Sequence, residues 1–367
     1  MLRQFDFRDP LPRHAAMLRI ACFIWLLALP LHPMARAADA ATPVAAEPVR
    51  IIFDTDMDSD CDDAAALAMM HALADKGEAN ILATTVSSKH VWSAPCTDAI
   101  NTFFGRPDLP IGVPKGPGPR EQGSRYARQI AEEFPHDLTS AEMAPDAAAV
   151  YRRVLAAQPD ASVVIVTVGD LTNLRTLLES VPDEHSPLAG SALVRQKVKH
   201  WVCMGSRYPA DLDPNRWGNF KLDPDSTVKA IAGWPTLITF TGGGRFAELL
   251  ATGKRLGDLP KTNPVRRVYE LYFKGEPKDR HSADQIAVVV AVRGLAHPWK
   301  LVTEGYNYIF PDGRHEWREI PNNPLHQYIS ALAEDVVARD VAAQIEALML
   351  HSPRSTQDDF KGSHHAG

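Results

Sequence analysis

The sequence predicts an α/β fold: a mainly parallel central sheet flanked by helices, with a small β-rich cap near the C-terminus. Three observations carry that expectation. Apolar runs recur at residues 49–53, 81–86, 163–168, 198–204 and 237–241, without the polar alternation of a half-exposed strand, as befits strands buried on both faces. Loops and stretches of helical apolar spacing separate them, the order that builds a parallel sheet through helical crossovers. The loop after the first run holds six aspartates within ten positions, Asp54, Asp56, Asp58, Asp60, Asp62 and Asp63, and ligands on such sheets sit at the carboxyl ends of the strands.

Residues 1–37 read as an export signal. Arg3, Arg8, Arg13 and Arg19 precede the apolar run IACFIWLLALPL, which ends in the small-residue site Ala35-Arg36-Ala37. That run is short of the ~20 residues needed to span a bilayer. The expectation is a soluble periplasmic or secreted protein with no membrane partner after cleavage. Residues 38–49 read as an Ala- and Pro-rich linker, 50–350 as one α/β domain and 351–367 as a polar disordered tail. With 45% hydrophobic and 23% charged residues, the composition is that of an ordinary globular chain. The net charge of -6 and scattered Lys and Arg argue against a nucleic-acid partner. Cys61, Cys96 and Cys203 remain after the signal; their odd count and wide spacing are not a disulfide framework, leaving one bridge or three buried thiols open.

Within the domain, the strand at 49–53 runs into the aspartate loop and a helix at 63–74. The strand at 81–86 precedes a loop carrying Lys89, His90 and Trp92, then a helix at 98–104. The turn Gly105-Arg106-Pro107-Asp108 leads to a short strand at 110–113. A Pro- and Gly-rich loop follows at 114–123, and a helix at 141–157. The β-branched run 163–168 ends at Gly169, ahead of the helix start Thr172-Asn173-Leu174. Beyond it come a strand at 198–204, a polar loop at 207–219, a helix at 225–232, a strand at 237–241 and a helix at 281–292 headed by Asp284. After residue 301, Tyr306, Tyr308, Pro311-Asp312-Gly313 and Trp317 mark the cap, and a helix at 335–350 closes the domain.

Six carboxylates in one site of reduced dielectric repel one another strongly, and a bound hard cation is the simplest neutraliser. An EF-hand fails in both frames: from Asp54, Ser59 and Ala65 stand where Gly and Glu are needed, and from Asp56, Cys61 and Leu67 do. A phosphotransfer aspartate lacks Lys and Thr partners at the later strands. A helix cap with a solvated acidic turn accounts for Asp62 and Asp63 alone.

The strand, the D-T-D loop and the D-D-A-A-A-L helix start resemble the inosine-uridine-preferring nucleoside hydrolase family, whose signature is D-x-D-P-G-x-D-D after the first strand. Three further segments match in order. Val166-Thr167-Val168-Gly169-Asp170-Leu171-Thr172-Asn173 is similar to the family's strand ending in G-x-L-T-N, Asn219-Phe220-Lys221-Leu222-Asp223-Pro224 to its N-x-x-x-D-P, and Asp284-Gln285-Ile286-Ala287-Val288 to its D-P-x-A-V. The resemblance implies a Ca²⁺ held by Asp56, Asp63, the Val168 carbonyl and Asp284. It also implies a water activated there, with Asp56 taking its proton before attack on the anomeric carbon of a nucleoside-like small molecule. Asp62 and Asn219 would hold ribose hydroxyls, and the family implies a homo-oligomer.

The departures fall on the sugar and base side. Met57-Asp58-Ser59-Asp60-Cys61 makes the loop two residues longer than the signature, Lys89 stands where a sugar-binding Asn is expected, Trp217 replaces a Glu, and Ala283 replaces a His. Loss of that Glu removes a hydroxyl acceptor and adds a stacking surface. Lys89 or His90 either binds a carboxylate or phosphate of the ligand or neutralises the extra aspartates; His281, two positions before Ala283, is a candidate leaving-group acid. Of Trp201, Trp217, Trp299 and Trp317, only Trp217 is tied to the site by motif position. The expected function is Ca²⁺-dependent hydrolysis of an N-glycosidic bond, the alternatives being a metal-stabilised binding protein without turnover and a hydrolase of another glycoside.

Overall fold

The computed structural model describes residues 47–119, 123–209 and 218–353. The expected signal, most of the linker and most of the tail lie outside those residues, as does Trp217. Ten strands are described: β1 (Val49–Thr55), β2 (Ala79–Val86), β3 (Ile111–Gly112), β4 (Val163–Thr167), β5 (Val198–Arg207), β6 (Leu237–Gly243), β7 (Trp299–Val302), β8 (Tyr306–Ile309), β9 (His315–Arg318) and β10 (His326–Leu332). Eight form one sheet in the order β3-β2-β1-β4-β5-β6-β10-β7, parallel except at the β10–β7 edge. The β-rich C-terminal segment therefore divides. Strands β7 and β10 extend the central sheet, and only β8 and β9 form the separate antiparallel pair of the cap.

The order explains where a ligand would sit. The chain leaves β1 toward β2 and β3, then returns to its other side as β4, so β1 pairs with β2 through Asp54–Thr85 and with β4 through Asp54–Thr167. A crevice opens at the carboxyl ends where the strand order reverses. Alternate β1 residues serve opposite cores: Ile51 and Phe53 join one cluster, Ile52 the other.

The helix Asp62–Asp75 is buried almost all round, as its Ala- and Met-rich sequence requires. It packs against the helices Ala283–Arg293 and Ala338–Met349. Strand positions match the sequence expectation closely, whereas helix ends and several short helices do not. The helix expected at 98–104 spans Ser93–Phe103, and that expected at 141–157 begins after Asp146, whose carboxylate caps it by accepting from the Ala148 and Ala149 N–H groups at 2.8 and 3.2 Å. The helices Ala127–Glu133, Gly190–Lys197, Arg245–Leu249 and Pro264–Phe273 were not expected from the sequence. Cys61, Cys96 and Cys203 are free and buried. Among the described residues, no helix is long and apolar enough to cross a membrane.

Candidate active site

The site begins with Asp54, the one carboxylate of β1. Fully buried, it accepts hydrogen bonds from Tyr151 Oη at 2.8 Å and Asn173 Nδ2 at 3.0 Å, and burial pushes its carboxyl up to about 6. Asn173 also donates to the Val86 carbonyl at 3.1 Å. One amide and one carboxylate thus tie the ends of β1 and β2 to the helix Thr172–Glu179 that follows β4.

Beyond Thr55 the backbone turns through Met57, at φ 45, which favours Gly or Asn over most side chains. The turn is held from both sides. Ser93 Oγ donates to the Met57 carbonyl at 3.0 Å, and the Met57 N–H donates to Asp63 Oδ1 at 3.3 Å. Thr55 Oγ1 donates to the same Asp63 oxygen. Burial pushes the Asp63 carboxyl up to about 7 despite those donors. The two extra aspartates find distant partners: Ser88 Oγ donates to Asp58 Oδ2 at 2.6 Å, and Arg280 grips Asp60 through Nε, at 3.0 Å from Oδ1, and Nη2.

A cavity of about 210 Å³ opens at this point. Asp56, Asp62, Asp63 and Asp284 line it, facing Val168, Met204, Gly218 and Asn219. Donor oxygens of Asp62, Asp63 and Asp284 lie within 4.8 Å of one another. Burial, and then the neighbouring carboxylates, push Asp56, Asp62 and Asp284 well above the usual carboxylate range. Asp62 Oδ2 and Asp284 Oδ1 are buried without a hydrogen-bond partner. Orphaned buried carboxylate oxygens are costly unless something neutralises them, so the donor set fits a hard cation with oxygen ligands.

The opposite wall is built by glycines. Gly218 sits at φ 82, and a Cβ there would fall 2.6 Å from the Gly205 carbonyl oxygen; only glycine lets Asn219 enter at that angle. Asn219 Nδ2 donates to the Val168 carbonyl at 2.7 Å and to that of Met204 at 3.3 Å. At the end of β4, a Cβ on Gly169 would lie 2.7 Å from the Asp56 nitrogen and 2.3 Å from Ser87 Oγ. The backbone after β4 presses directly on Asp56.

Of the residues singled out from sequence, the cavity brings together Asp56, Asp62, Asp63, Val168, Asn219, His281 and Asp284. His281 Nε2 stands 3.5 Å from Asp62 Oδ2 and 3.8 Å from Asp60 Oδ2; burial, and then Arg280, lower its pKa below the usual imidazole value. Lys89 is exposed, lies outside the cavity lining, and rests its stem near Gly118. Trp201 belongs to the core, tilted against Trp234 at 4.7 Å and donating to Thr167 Oγ1. Sequence reasoning missed three residues. Arg280 lines the cavity; Ser88 secures Asp58; and Asp170, buried one residue beyond Gly169, accepts the Thr172 N–H at 3.0 Å and is pushed up to about 7 by burial. Asp170 stood inside a matched motif, and its position next to Gly169 was the available signal.

Clustered carboxylates at the switch point of a parallel sheet, faced by an amide and a carbonyl, suit a hydrolase that activates water beside a hydroxyl-rich substrate, and the class defined is the glycosyl hydrolase. The family follows from comparison with known proteins: residues 51–329 match the model for the inosine-uridine preferring nucleoside hydrolase, and the chain belongs to that family. Among solved structures, the plant nucleoside hydrolase PpNRh1 is similar at 16% identity and a TM-score of 0.61, over 83% of this chain and 99% of that one. The inosine-uridine preferring nucleoside hydrolase from Bacillus anthracis is similar at 13% identity and TM-score 0.59, over 82% and 99%. The type III effector XopQ complexed with adenosine diphosphate ribose is similar at 14% identity and TM-score 0.57, over 82% and 92%. No curated protein matches the chain by sequence.

Proposed function

We propose that the protein is a Ca²⁺-dependent hydrolase of the N-glycosidic bond of a nucleoside or related N-ribosyl compound, with Asp56 as the proton acceptor. The observation that carries this reading is the convergence of Asp56, Asp62, Asp63 and Asp284 on one cavity, with two orphaned carboxylate oxygens among them. Asp56, Asp63, Asp284 and the Val168 carbonyl would hold the cation, which when bound supplies polarisation of a water molecule. Asp56 lines the cavity beside those donors and would be the carboxylate that accepts a proton from the attacking water. Asn219, with its amide NH₂ committed to two carbonyls, keeps Oδ1 for a ribose hydroxyl, and Asp62 holds another. His281, in its protonated form, would be the acid for the departing base. Export would place the activity outside the cytoplasm, where it suits nucleoside salvage.

The test is release of free ribose from a nucleoside panel. Activity is expected with added Ca²⁺, lost with chelator, and lowered about 10²–10⁴-fold in Asp56→Asn. If the metal-reconstituted protein releases ribose from no member, the reading is wrong. A second reading, binding of an adenine nucleotide with a ribosyl end, is favoured by the adenosine diphosphate ribose in the XopQ structure. Calorimetric binding of that ligand without ribose release would establish it instead.

A further inference from the structure

Arg280 stands just before the helix Ala283–Arg293 and lines the cavity. Its orientation is fixed at both ends. The backbone pairs with Thr252 in both directions, at 2.8 and 2.9 Å. The guanidinium meets Asp60 through Nε and Nη2 and lies over the Tyr272 ring, 5.7 Å from its centroid. Burial pushes the Asp60 carboxyl up, but the Arg280 donors and charge outweigh that and hold it below the usual range, so the pair is ionic. Two of the five guanidinium N–H donors are used by Asp60; the others have no hydrogen-bond partner among the described residues. Neutralising Asp60 needs only a positive charge. A clamped, stacked fork with donors to spare on the wall of a cavity is suited to meeting a ligand.

The carboxylates claim one part of the cavity for cation and sugar. The departing base needs a donor beside them: besides the carboxylates, the polar side chains of the lining are Ser59, Asn219, Lys221, Arg280 and His281, and of the two permanent cations Arg280 is the one held in place by a carboxylate among the described residues. We infer that Arg280 is a catalytic residue that donates hydrogen bonds to the leaving base, and that Asp60 is the positioning residue that aims it. This rests on the N-ribosyl hydrolase reading. As the C1′–N bond breaks, its electron pair passes into the base and spreads onto a conjugated ring nitrogen or exocyclic oxygen. Donors placed where charge develops lower the barrier. The oxygen of water bonds to C1′, one proton goes to Asp56, and the base takes a proton from protonated His281 to leave as the neutral heterocycle beside free ribose. A fixed guanidinium favours bases that leave with their charge on an oxygen or ring nitrogen, such as 6-oxopurines and uracil. It disfavours cationic pyridinium ribosides, whose positive charge it would oppose.

The experiment compares inosine with 4-nitrophenyl β-D-ribofuranoside, whose phenolate leaves without assistance, in Ca²⁺-loaded wild type, Arg280→Ala and Asp60→Asn. Arg280→Ala is expected to lower kcat on inosine about 100-fold or more and on the nitrophenyl riboside less than about fivefold. Asp60→Asn should show the same selective loss, smaller in size. Arg280→Lys carries the same prediction where Arg280→Ala does not fold, and activity on the nitrophenyl riboside itself reports a folded site. Equal loss on both substrates, or no loss on inosine, overturns the assignment while leaving the hydrolase reading standing. A wild type that cleaves neither substrate overturns the Arg280 assignment, and the nucleoside panel then decides the hydrolase reading separately.

Discussion

Asp284 shows how one side chain links distant parts of the chain. It comes from a helix more than two hundred residues after the aspartate loop, yet its carboxyl is pushed well above the usual range by burial and then by Asp62, Asp63 and Asp56. Its Oδ1 has no partner. Without a cation the like charges of the cluster oppose folding; with one bound, the same oxygens would serve as its ligands. Asp284→Asn should therefore act with opposite signs in two buffers. In chelator, removal of one like charge is expected to raise Tm by roughly 2–4 °C. With saturating Ca²⁺ the variant should melt below wild type, because ligand-linked stabilisation is lost. Calcium affinity by calorimetry should fall about 10–100-fold. An equal drop in Tm under both conditions would show that Asp284 serves packing alone.

Among the elements, the end of β4 decides the site geometry. Gly169 lets the backbone just after β4 lie against Asp56, and Gly169→Ala would place a methyl 2.7 Å from the Asp56 nitrogen and 2.3 Å from Ser87 Oγ. The expected result is a kcat about 100-fold lower, since small misplacements of catalytic groups are costly, with far-UV circular dichroism unchanged. Wild-type turnover in that variant would refute the contact. Element scale also shows what the sequence could carry. The strands were legible because burial on both faces writes them as continuous apolar runs, and the four motifs were legible because each sits at a strand end or helix start. The cap was only half legible: β7 and β10 belong to the central sheet through pairings with strands far apart in sequence. The helix Pro264–Phe273 went unread although Asn263 caps it, accepting from the Val265 and Arg266 N–H groups, and Pro264 opens it. Asp58 and Asp60 had no assignable role because their partners, Ser88 and Arg280, lie 30 and 220 residues away, and no local pattern records such a pairing. Arg280 was unreadable for the same reason.

At the scale of the whole molecule, a clamp behind the site ties the chain's last described helix to its first. Asp75, at the end of the helix Asp62–Asp75, accepts from Arg106 Nη2 at 2.5 Å and is bonded to His351 Nε2 at 2.6 Å, just beyond the helix Ala338–Met349. His71 lies one turn earlier, fully buried, with Nε2 at 2.9 Å from Asn101 Oδ1, Nδ1 at 3.3 Å from Arg106 Nη1, and its ring stacked on Phe104. Burial, and then the Arg106 charge, push its pKa down to about 3 from 6.5. The unfolded chain therefore takes up a proton near pH 6.5 that the folded chain refuses. Stability from this group is present above pH 6.5 and is lost as pH falls toward 3. His200 and His326, each lowered to about 4 by burial, act in the same direction, whereas the raised carboxyl of Asp170 acts in the opposite one. A variant that cannot titrate isolates the His71 share. Between pH 6.5 and 4.5, His71→Gln should lose about 2–3 kcal/mol less unfolding free energy than wild type, measured by urea unfolding at both values. It will start from a lower stability at pH 7, since the ring stack on Phe104 is gone. If the two proteins lose the same free energy over that interval, the clamp does not hold His71 neutral, and the acid sensitivity of the fold lies elsewhere.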